Sequence, residues 1–592
     1  MDKPPRDVPL TMRLHRRLLL FLGRAGPKHS LLGPRKTGLR EGLLDPRLVG
    51  SKERPLVPRR RELKPRVPLL SRAGLKDWLR VLLLAGLLLV GSGGILLAEA
   101  SDLVSAGRVV GGNYAVNEGA ADPLDISAHN SPSIVQNPVN PENLVASDRV
   151  DSPLFSCALH ISKDGGSTWS QTPLPVPEGE EAKCYAPDVA FSTDGTLYLS
   201  FVTLKGLGNV PNAVWIISSR DGGLTLSEPS QAFGPLAFQV RLTSSPSEPD
   251  HLQLTWLQAE VTATFSFPET GNPIMWATSE DGGATWSTPT QVNDDVRERV
   301  VAPSHEVLSD GRVLVLFLDL GEDRLDYEGA HGGQGGPPYD GYWSLILARS
   351  EDDGRTWRES VVDDRVVPTE RFVVFIPPSP SLAADPDSEH VYVAFQEGSN
   401  NDPDVKLWRS DDGGRTFSDP VRVNDTPQGD GTSQYLPEVQ TAPGGRLDVV
   451  YLDRRADPND VMTEVSLQSS FDNGDSFSRR ILLTDRAFDP RIGPGVERGM
   501  PSLGSRLALL SVDRAAIALW PDTRRGTIFS NRQDLAQAVI EMAGPPPLSS
   551  RLGDVFRTGG LAGVGVSLLL AGYFVWQKRR HRDAPKSAEL VP

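Results

Sequence analysis

The sequence predicts an all-β protein built from one supersecondary unit that is repeated along the chain. Three observations lead to this prediction: a turn motif with six copies, a near-constant spacing between the copies, and β-type alternation ahead of each one. The copies read SKDGGSTW, SRDGGLTL, SEDGGATW, SEDDGRTW, SDDGGRTF and SFDNGDSF, and they begin at Ser162, Ser219, Ser279, Ser350, Ser410 and Ser470. Their Asp residues are 57, 60, 71, 60 and 60 residues apart, which indicates one repeated unit and not six independent sites.

Each copy of the motif has the composition of a tight hairpin. The Asp carboxylate can accept hydrogen bonds from nearby main-chain N–H groups, Gly supplies a positive-φ position, and the Ser or Thr hydroxyl can tie the returning strand. The Trp or Phe that closes most copies is expected to pack back into the sheet. We therefore interpret the repeated Asp as turn-forming, in preference to a metal ligand or an acid.

The pattern Ser-x-Asp-x-Gly-x-Thr-Trp resembles the Asp-box (BNR) repeat of the sialidase superfamily. In that family the repeat forms the hairpin between the third and fourth strands of propeller blades. The resemblance covers roughly residues 110 to 533 and implies a β-propeller.

Seven strand patterns accompany the six Asp boxes. They open at Pro132, Ala186, Phe238, Pro303, Pro380, Leu436 and Pro501. Alternation rich in Val, Tyr and Phe between Gly or Asp turns is typical of strands and hairpins. The last unit, from Pro501 to about Gln533, has three strands' worth of chain and no box, so a strand around Gly107 to Asn117 could supply the fourth and close the ring. We predict a seven-bladed propeller over residues 107–533, with six blades as the alternative.

Charge divides the chain into three regions. Residues 1–80 carry 21 Lys/Arg against 7 Asp/Glu, and the tail 578–592 is also basic, whereas the whole chain has a net charge of −15. The region between them is therefore strongly acidic, which makes nucleic acid an improbable partner for the propeller. We interpret residues 1–80 as a disordered basic segment that touches anionic lipid, with mis-assigned coding sequence or nucleic-acid binding as alternatives.

Two uncharged apolar segments, 81–98 and 558–577, are each about long enough to cross a bilayer as a helix. Basic residues flank the first on its N-terminal side and the second on its C-terminal side, so both termini are predicted to be cytoplasmic and the propeller extracytoplasmic. Residues 543–557 are predicted to form a stalk. Gly559, Gly563 and Ser567 recur at four-residue intervals, a spacing that allows close helix packing, with the first span or in a dimer.

The first apolar segment has a second interpretation. The sequence Ala98-Glu99-Ala100 resembles a signal-peptidase site, so residues 81–98 could be a cleaved signal peptide if translation starts further downstream. The two cysteines, Cys157 and Cys184, flank the first Asp box, and a disulfide between them is open on the sequence alone. No cofactor or metal is predicted. Acidic loops from Ser399, Val423 and Asp457 could bind Ca²⁺, but they lack a fixed ligand spacing and are interpreted as solvated turns.

Functional residues of a propeller are expected near the axis, on the face opposite the Asp boxes. Three second-strand exits there, ASDRV, YLDRR and WPDTRR, combine Asp with Arg. Arg149, Arg454 and Arg524 could bind carboxylates or sugar hydroxyls, or could form structural ion pairs between blades. Tyr185 and Tyr435 occupy matching positions before inner strands, and Tyr185 is assigned to ligand binding.

The sialidase resemblance implies a catalytic set. Sialidases use a Tyr nucleophile helped by a Glu, a separate Asp as acid/base, and three Arg residues on the substrate carboxylate. On this chain the corresponding candidates are Tyr435, Glu438 and Asp453, with wall residues as the alternative. The family's Arg-Ile-Pro motif is absent, which puts catalysis in doubt. We therefore predict a membrane-anchored propeller that binds a glycan, another polymer or a protein on its axial face; the alternative is an exo-glycosidase acting on terminal acidic sugars.

Overall fold

A computed structural model describes residues 106–117, 126–260, 271–325, 339–369, 378–399, 402–495, 503–544 and 550–582. Both predicted N-terminal regions, residues 1–80 and 81–98, and the end of the basic tail lie outside the described residues. Within the described residues, the strands form seven four-stranded antiparallel sheets, one for each blade. The predicted seven-bladed all-β propeller is therefore confirmed.

Strand β1 (Gly107–Ala115) is followed by six blades whose strands are consecutive in sequence. Blade 1 contains β2 (His129–Gln136), β3 (Leu144–Val150), β4 (Ser156–Ser162) and β5 (Ser170–Thr172). Blade 2 contains β6 (Cys184–Phe191), β7 (Leu197–Lys205), β8 (Val210–Ser219) and β9 (Ser230–Phe233). Blade 3 contains β10 (Ala237–Ser244), β11 (Leu252–Gln258), β12 (Ile274–Ser279) and β13 (Thr290–Gln291). Blade 4 contains β14 (Val300–Val307), β15 (Val313–Asp319), β16 (Trp343–Ser350) and β17 (Arg358–Val366). Blade 5 contains β18 (Ser381–Ala384), β19 (Val391–Glu397), β20 (Asp404–Ser410) and β21 (Val421–Arg422). Blade 6 contains β22 (Gln434–Ala442), β23 (Arg446–Asp453), β24 (Glu464–Ser470) and β25 (Ile481–Leu482).

Blade 7 closes the ring with a strand from the other end of the chain. Its strands are β26 (Ala508–Val512), β27 (Ala515–Asp522), β28 (Asp534–Met542) and, at the outer edge, β1. The pairing of β1 with β28 is the closure that the strand count predicts. The third strand of this blade lies beyond the predicted boundary at residue 533, so the propeller extends to Met542.

The Asp boxes form the hairpins between third and fourth strands and define the Asp-box face. In the fifth box, Asp412 accepts hydrogen bonds from the Ser410 hydroxyl at 2.7 Å and from the main-chain nitrogen and hydroxyl of Thr416 at 2.9 and 2.7 Å. Burial acts against ionisation, but the bonds from Thr416 hold the pKa of Asp412 at about 2. Equivalent bonds recur in the other boxes, in agreement with the turn-forming interpretation.

The first strand of each blade lies innermost and begins at the opposite face, which we call the axial face. Most inner strands begin with a bulge at a residue of positive φ, such as Ala186, Ala302 or Leu436, at 51°, 57° and 52°. A β-bulge re-aims the side chains that follow it. The apolar cores lie between and within adjacent blades, around fully buried indoles such as those of Trp276, Trp408 and Trp520.

One helix, α1 (Ser550–Arg582), follows the propeller and includes the predicted second span, residues 558–577, together with part of the predicted stalk. In the part of the chain that the structure describes, no helix combines the length and the apolar character needed to cross a membrane. Within α1 the hydroxyl of Ser567 donates to the carbonyl oxygen of Gly563 at 2.8 Å.

Candidate functional site

One residue in each blade occupies an equivalent position near the start of the inner strand. In six blades it is the residue two positions after the positive-φ residue or its glycine equivalent, and in blade 5 it is the first residue of β18. We call this set the axial ring; its members, from blade 1 to blade 7, are Ser133, Asp188, Arg241, Ser304, Ser381, Glu438 and Arg506.

The basic and acidic members of the axial ring meet across the channel. Arg241 approaches Asp188 at 3.3 Å, and Arg506 approaches the same carboxylate at 4.0 Å from blade 7. Ser133 donates to Asp188 at 2.5 Å, and Arg506 donates to the Ser133 hydroxyl at 3.1 Å. Because blades 7 and 2 are not neighbours, these groups converge on the axis. Ser133, Asp188, Arg241 and Arg506 therefore form one connected polar cluster within the ring.

Asp188 is the counter-ion of this cluster. Burial alone would raise its pKa, but Arg241, Arg506, Ser133 and the main-chain nitrogen of Leu242 together lower the pKa below the ordinary value. The carboxylate is thus ionised at neutral pH. Burial and the charge of Arg241 lower the pKa of Arg506 to about 9, so this guanidinium remains positive at neutral pH.

Two further carboxyl groups lie along the channel. Burial raises the pKa of Glu438 to about 7, although the positive charges of Arg241 and Arg506 act in the opposite direction. Glu306 lies two residues after Ser304 on β14, and burial together with the charge of Glu438 raises its pKa to about 7. Both side chains are half-buried, so they are reachable from the channel.

Glu438 lies in the axial ring, whereas the side chain of Tyr435 lies in the apolar core. Tyr435 is 3% exposed, and its ring packs within the apolar core of blades 6 and 7. Its hydroxyl accepts a hydrogen bond from Arg454 at 3.1 Å, and the Arg454 guanidinium stacks 4.5 Å from the ring centroid. The structure therefore brings together Tyr435 and Arg454. Tyr435 and Glu438 lie on opposite sides of a β-bulge, where the pairing register of β22 with β23 shifts.

Asp453 and Arg524 each lie in an ion-pair network. Asp453 is fully buried and accepts hydrogen bonds from Arg455 and Ser466 at 2.7 Å each. Arg524 pairs with Asp522 at 2.5 Å and also with Asp485. The Arg455–Asp453 and Arg524–Asp522 pairs lie within one blade, whereas the Arg524–Asp485 pair joins blade 7 to the segment after β25 of blade 6, as in the alternative of ion pairs between blades. Their assignment to catalysis or ligand binding remains a prediction.

Arg149 and Tyr185 lie at the interface of blades 1 and 2. Arg149 pairs with buried Asp151 at 2.6 Å. The Tyr185 hydroxyl accepts a hydrogen bond from the main-chain nitrogen of Gln239, the positive-φ residue of blade 3, and burial raises its pKa well above the ordinary value. Tyr185 thus supports the neighbouring bulge. Its role in ligand binding remains a prediction.

Asp148 forms a buried group that the sequence does not single out. It accepts from His129 at 2.6 Å and from His160 at 2.7 Å, all three side chains being at most 3% exposed. The burial of Asp148 raises its pKa, but the two imidazoles more than offset this effect and the net pKa is lowered. These two hydrogen bonds connect β2, β3 and β4 of blade 1 through the side chains of His129, Asp148 and His160.

In the acidic loops considered for Ca²⁺, Asp side chains accept hydrogen bonds from main-chain N–H groups of the same region. Asp402 accepts from the main-chain nitrogens of Gly429 and Gly431 at 2.6 and 3.0 Å. Asp457 accepts from the main-chain nitrogen of Met462 at 2.8 Å. A carboxylate that caps several N–H groups acts as a turn-forming group.

Sequence reasoning missed Arg241 and Arg506. The distance from a ring residue to the next Asp box ranges from 31 residues, for Ser133 to Asp164, to 48 residues, for Ser304 to Asp352. A fixed spacing therefore could not find the ring. A Pro follows the positive-φ residue at Ser131, Ala186, Ala302 and Leu436, but Val240 and Ser505 take its place in blades 3 and 7, so this local signal is missing at Arg241 and Arg506.

Comparisons with known proteins agree with this architecture. Residues 247–497 match the family model of the BNR repeat-like domain. No curated protein sequence matches the chain. Similar solved structures include a protein of unknown function from Dyadobacter fermentans, with 16% identity, a TM-score of 0.40, and coverage of 74% of this chain and 100% of that one.

Two enzymes are also among the similar structures. The GH93 α-L-arabinofuranosidase of Fusarium graminearum has 15% identity and a TM-score of 0.38, covering 62% of this chain and 95% of that one. The NanB sialidase of Streptococcus pneumoniae has 12% identity and a TM-score of 0.36, covering 72% and 70%. The six Asp boxes and the seven sheets form an Asp-box β-propeller, and residues 247–497 of it match the BNR repeat-like domain.

Proposed function

We propose that this propeller binds a glycan on its axial face, and that the axial ring is the binding site. The observation that carries the proposal is the ring itself: it combines guanidinium, hydroxyl and carboxyl groups on one channel. Sugar hydroxyls both donate and accept hydrogen bonds, and charged partners make the stronger bonds. Arg241, Ser304 and Glu438 are half-buried and so can exchange water for such a ligand.

Arg241 is the member best suited to bind an acidic group of the glycan. About a quarter of its side chain, 26%, is exposed, against 11% for Arg506. Arg506 already donates to the carbonyl oxygens of Pro132 and Pro187 at 3.0 Å each. Arg241 therefore has more free donor capacity, whereas Arg506 supports the ring and adds positive charge.

A glycan array tests the proposal with the Arg241→Met variant and a matched control, Arg355→Met. Arg355 is exposed in an Asp box, on the opposite face. We expect wild type and Arg355→Met to bind the same acidic glycans, and Arg241→Met to lose this binding while still unfolding in a single cooperative transition. Equal binding by all three proteins would contradict a site in the axial ring.

A hydrolase that removes terminal acidic sugars is the second candidate, and one observation favours it. A carboxyl with a pKa near 7 is suited to act as a general acid at neutral pH, and Glu438 has this property beside the channel. In this reaction Glu438 would be the first residue to test, since Tyr435 and Asp453 are buried. Turnover of fluorogenic sialosides that is lost in Glu438→Gln would support the enzyme; no turnover by wild type would leave binding as the function.

We also propose that the propeller is extracytoplasmic and tethered to the membrane by the predicted apolar segments. The disulfide between Cys157 and Cys184, which joins blades 1 and 2, supports an oxidising compartment. Membrane lipid would contact the apolar segments and the basic termini, and the packing positions Gly559, Gly563 and Ser567 would mediate helix pairing. A protein ligand on the axial face remains an alternative partner.

Labelling of intact cells with an impermeant maleimide tests the topology. On a background without the native cysteines, a cysteine placed at Asp419 of the propeller should be labelled from outside. A cysteine placed at Ser587 of the tail should be labelled only after permeabilisation. The opposite pattern would contradict the proposed orientation.

A further inference from the structure

The connection between β27 and β28, residues 523–533, presents two large apolar side chains to solvent on the axial face. Phe529 is 91% exposed and Ile528 is 68% exposed, and we call this pair the blade-7 tip. The connection contains three arginines and no acidic residue, although the region around it is strongly acidic overall. Aromatic residues and arginine are enriched at protein–protein interfaces, where lysine, glutamate and aspartate are depleted. The composition of the connection therefore resembles that of an interface.

Hydrogen bonds give the turn that carries the blade-7 tip a defined conformation. The main-chain nitrogen of Ser530 donates to the carbonyl oxygen of Thr527 at 3.1 Å, and the main-chain nitrogen of Thr527 donates to the Ser530 hydroxyl at 2.9 Å. A Cβ atom at Gly526 would lie 2.2 Å from the carbonyl oxygen of Arg532, so the two arms of the connection are closely packed. The two apolar side chains are therefore exposed on an ordered turn.

The connection is also tied to blade 6 at both of its ends. The Thr523 hydroxyl donates to the carbonyl oxygen of Asp489 at 2.7 Å, and the Gln533 side-chain amide donates to the carbonyl oxygen of Ile492 at 3.0 Å. A surface that is already ordered before a partner arrives binds with a smaller loss of conformational entropy. The blade-7 tip is thus preorganised for contact.

A polar cleft of about 170 Å³, the blade-7 cleft, lies beside the tip. It is formed by the end of β1, the start of β28 and the segments that follow β25 and β27. Arg486 and Arg525 line it and are exposed. Arg525 lies 3.9 Å from Asp534, and Arg532 lies 3.0 Å from the same carboxylate, so this carboxylate joins the cleft to both arms of the connection. Exposed guanidinium groups in such a cleft can accept a carboxylate as a partner.

Positive charge is in excess where the cleft meets the tip. Four guanidinium groups and three carboxylates belong to this region: Arg486, Arg524, Arg525 and Arg532, with Asp485, Asp522 and Asp534. All three carboxylates already form ion pairs with arginines of the β27–β28 connection. The exposed Arg486 therefore supplies the charge that an acidic partner would balance.

We propose that the blade-7 tip and the blade-7 cleft together form a docking surface for a segment of another protein that carries a carboxylate side chain beside apolar ones. The apolar side chains of this segment cover Ile528 and Phe529, and its carboxylate pairs with Arg486 and Arg525. The surface is separate from the axial ring, so the inference does not depend on glycan binding.

Charge and position favour this occupant over the other two. A second copy that docked through the same surface would bring two positive clefts together. A bilayer that holds the flanking segments would lie at the opposite face, because Gly107 and Met542 are paired at the Asp-box end of blade 7. A separate protein with an acidic, apolar segment meets neither difficulty.

Site-specific photo-crosslinking of the full chain, in the cells that produce it, tests the docking surface. Benzoylphenylalanine replaces Phe529, and in the matched control it replaces Leu224, which is 55% exposed in an Asp box on the opposite face. We expect position 529 alone to give a discrete adduct with a different polypeptide. Mass spectrometry should identify a crosslinked segment with Asp or Glu next to apolar residues. No adduct at 529, the same adduct at 224, or an adduct with lipid, with a second copy or with a segment lacking acidic residues would overturn the proposal.

The crosslinked segment, made as a fluorescent peptide, then tests the two parts of the surface by anisotropy. Phe529→Ser should weaken its binding at least about tenfold, as expected for an aromatic residue at the centre of an interface. Arg486→Met should weaken binding at low salt more than at high salt, because an exposed ion pair is screened. Arg355→Met, on the Asp-box face, should bind as wild type does. Equal affinity of wild type and Phe529→Ser, or of the peptide and its version with Gln in place of acidic residues, would refute the proposed contacts.

Discussion

The main-chain nitrogen of Ala543 donates a hydrogen bond to the carbonyl oxygen of Ala106 at 2.8 Å. The two ends of the propeller therefore leave it side by side, next to the paired residues Gly107 and Met542 of β1 and β28. Both ends emerge at the Asp-box face, because β28 runs towards that face and β1 runs away from it. If both flanking segments are membrane spans, the axial face points away from the bilayer.

The pairing of β1 with β28 makes β1 the strand that closes the ring. A chain that begins at residue 118 lacks β1, so β28 becomes an unpaired edge; a chain that begins at residue 106 keeps it. We expect the shorter chain to unfold at a markedly lower temperature and to aggregate, because an open propeller exposes a strand edge. Thermal unfolding of the two truncated forms checks this expectation. Equal unfolding temperatures would show that closure by β1 is dispensable.

The Asp boxes are predicted to stabilise the fold without contributing to binding. Asp412→Ala removes four hydrogen bonds within one hairpin and should lower the free energy of unfolding by about 1–2 kcal/mol. Asp419→Ala, at an exposed position a few residues further on, is the control and should have little effect. Denaturant titration measures both. An altered glycan affinity in Asp412→Ala would contradict a purely structural role.

The disulfide should stabilise the contact between blades 1 and 2. Cys157 and Cys184 are 27 residues apart in sequence, and a loop of this size corresponds to about 3 kcal/mol in the chain-entropy model. The double replacement Cys157→Ser with Cys184→Ser should lower the free energy of unfolding by about this amount. Wild type under reducing conditions should behave as the variant does. If wild type purified under oxidising conditions contained two free thiols, the bridge would not be formed in the protein.

The axial carboxyls predict an unusual dependence of stability on pH. Because the folded pKa of Glu438 and Glu306 lies above the unfolded value, their contribution to stability is present at pH near 4 and is lost as pH rises through about 7. His305 acts in the opposite sense, since its pKa is lowered, so the comparison must be made between variants. Glu438→Gln should be stabilised relative to wild type at pH 8, by on the order of 2 kcal/mol, and less so at pH 5. A pH-independent difference in unfolding free energy would contradict these shifts.

The repeat and the ring closure could be predicted from sequence because both follow from local chemistry. Each Asp box has its turn residues in consecutive positions, and a propeller with a missing fourth strand must take one from elsewhere. The end of the last blade was placed too early, at residue 533, because β28 follows a long connection and has no box after it. Thr523 and Gln533, at the two ends of that connection, donate hydrogen bonds to the carbonyl oxygens of Asp489 and Ile492 in the segment after β25, contacts that the sequence does not display.

The functional site was predicted only in part, for a physical reason. Glu438 is a candidate because the sialidase resemblance implies a Glu that helps the Tyr nucleophile, and it occupies the axial-ring position of blade 6. Arg241 and Arg506 were not, because their proximity depends on bulges in blades that are far apart in sequence. Tyr435 lies three residues before Glu438 in the same strand, yet the bulge between them leaves its side chain in the core.

Hydrogen–deuterium exchange with and without an acidic oligosaccharide tests the central claim most directly, because it reports where on the propeller the ligand binds. The account predicts slower exchange at the entries of the inner strands, notably around residues 185–188, 238–241 and 435–438, with no change in the Asp-box hairpins. Protection confined to the hairpins or to the outer strands would contradict a binding site at the axial ring.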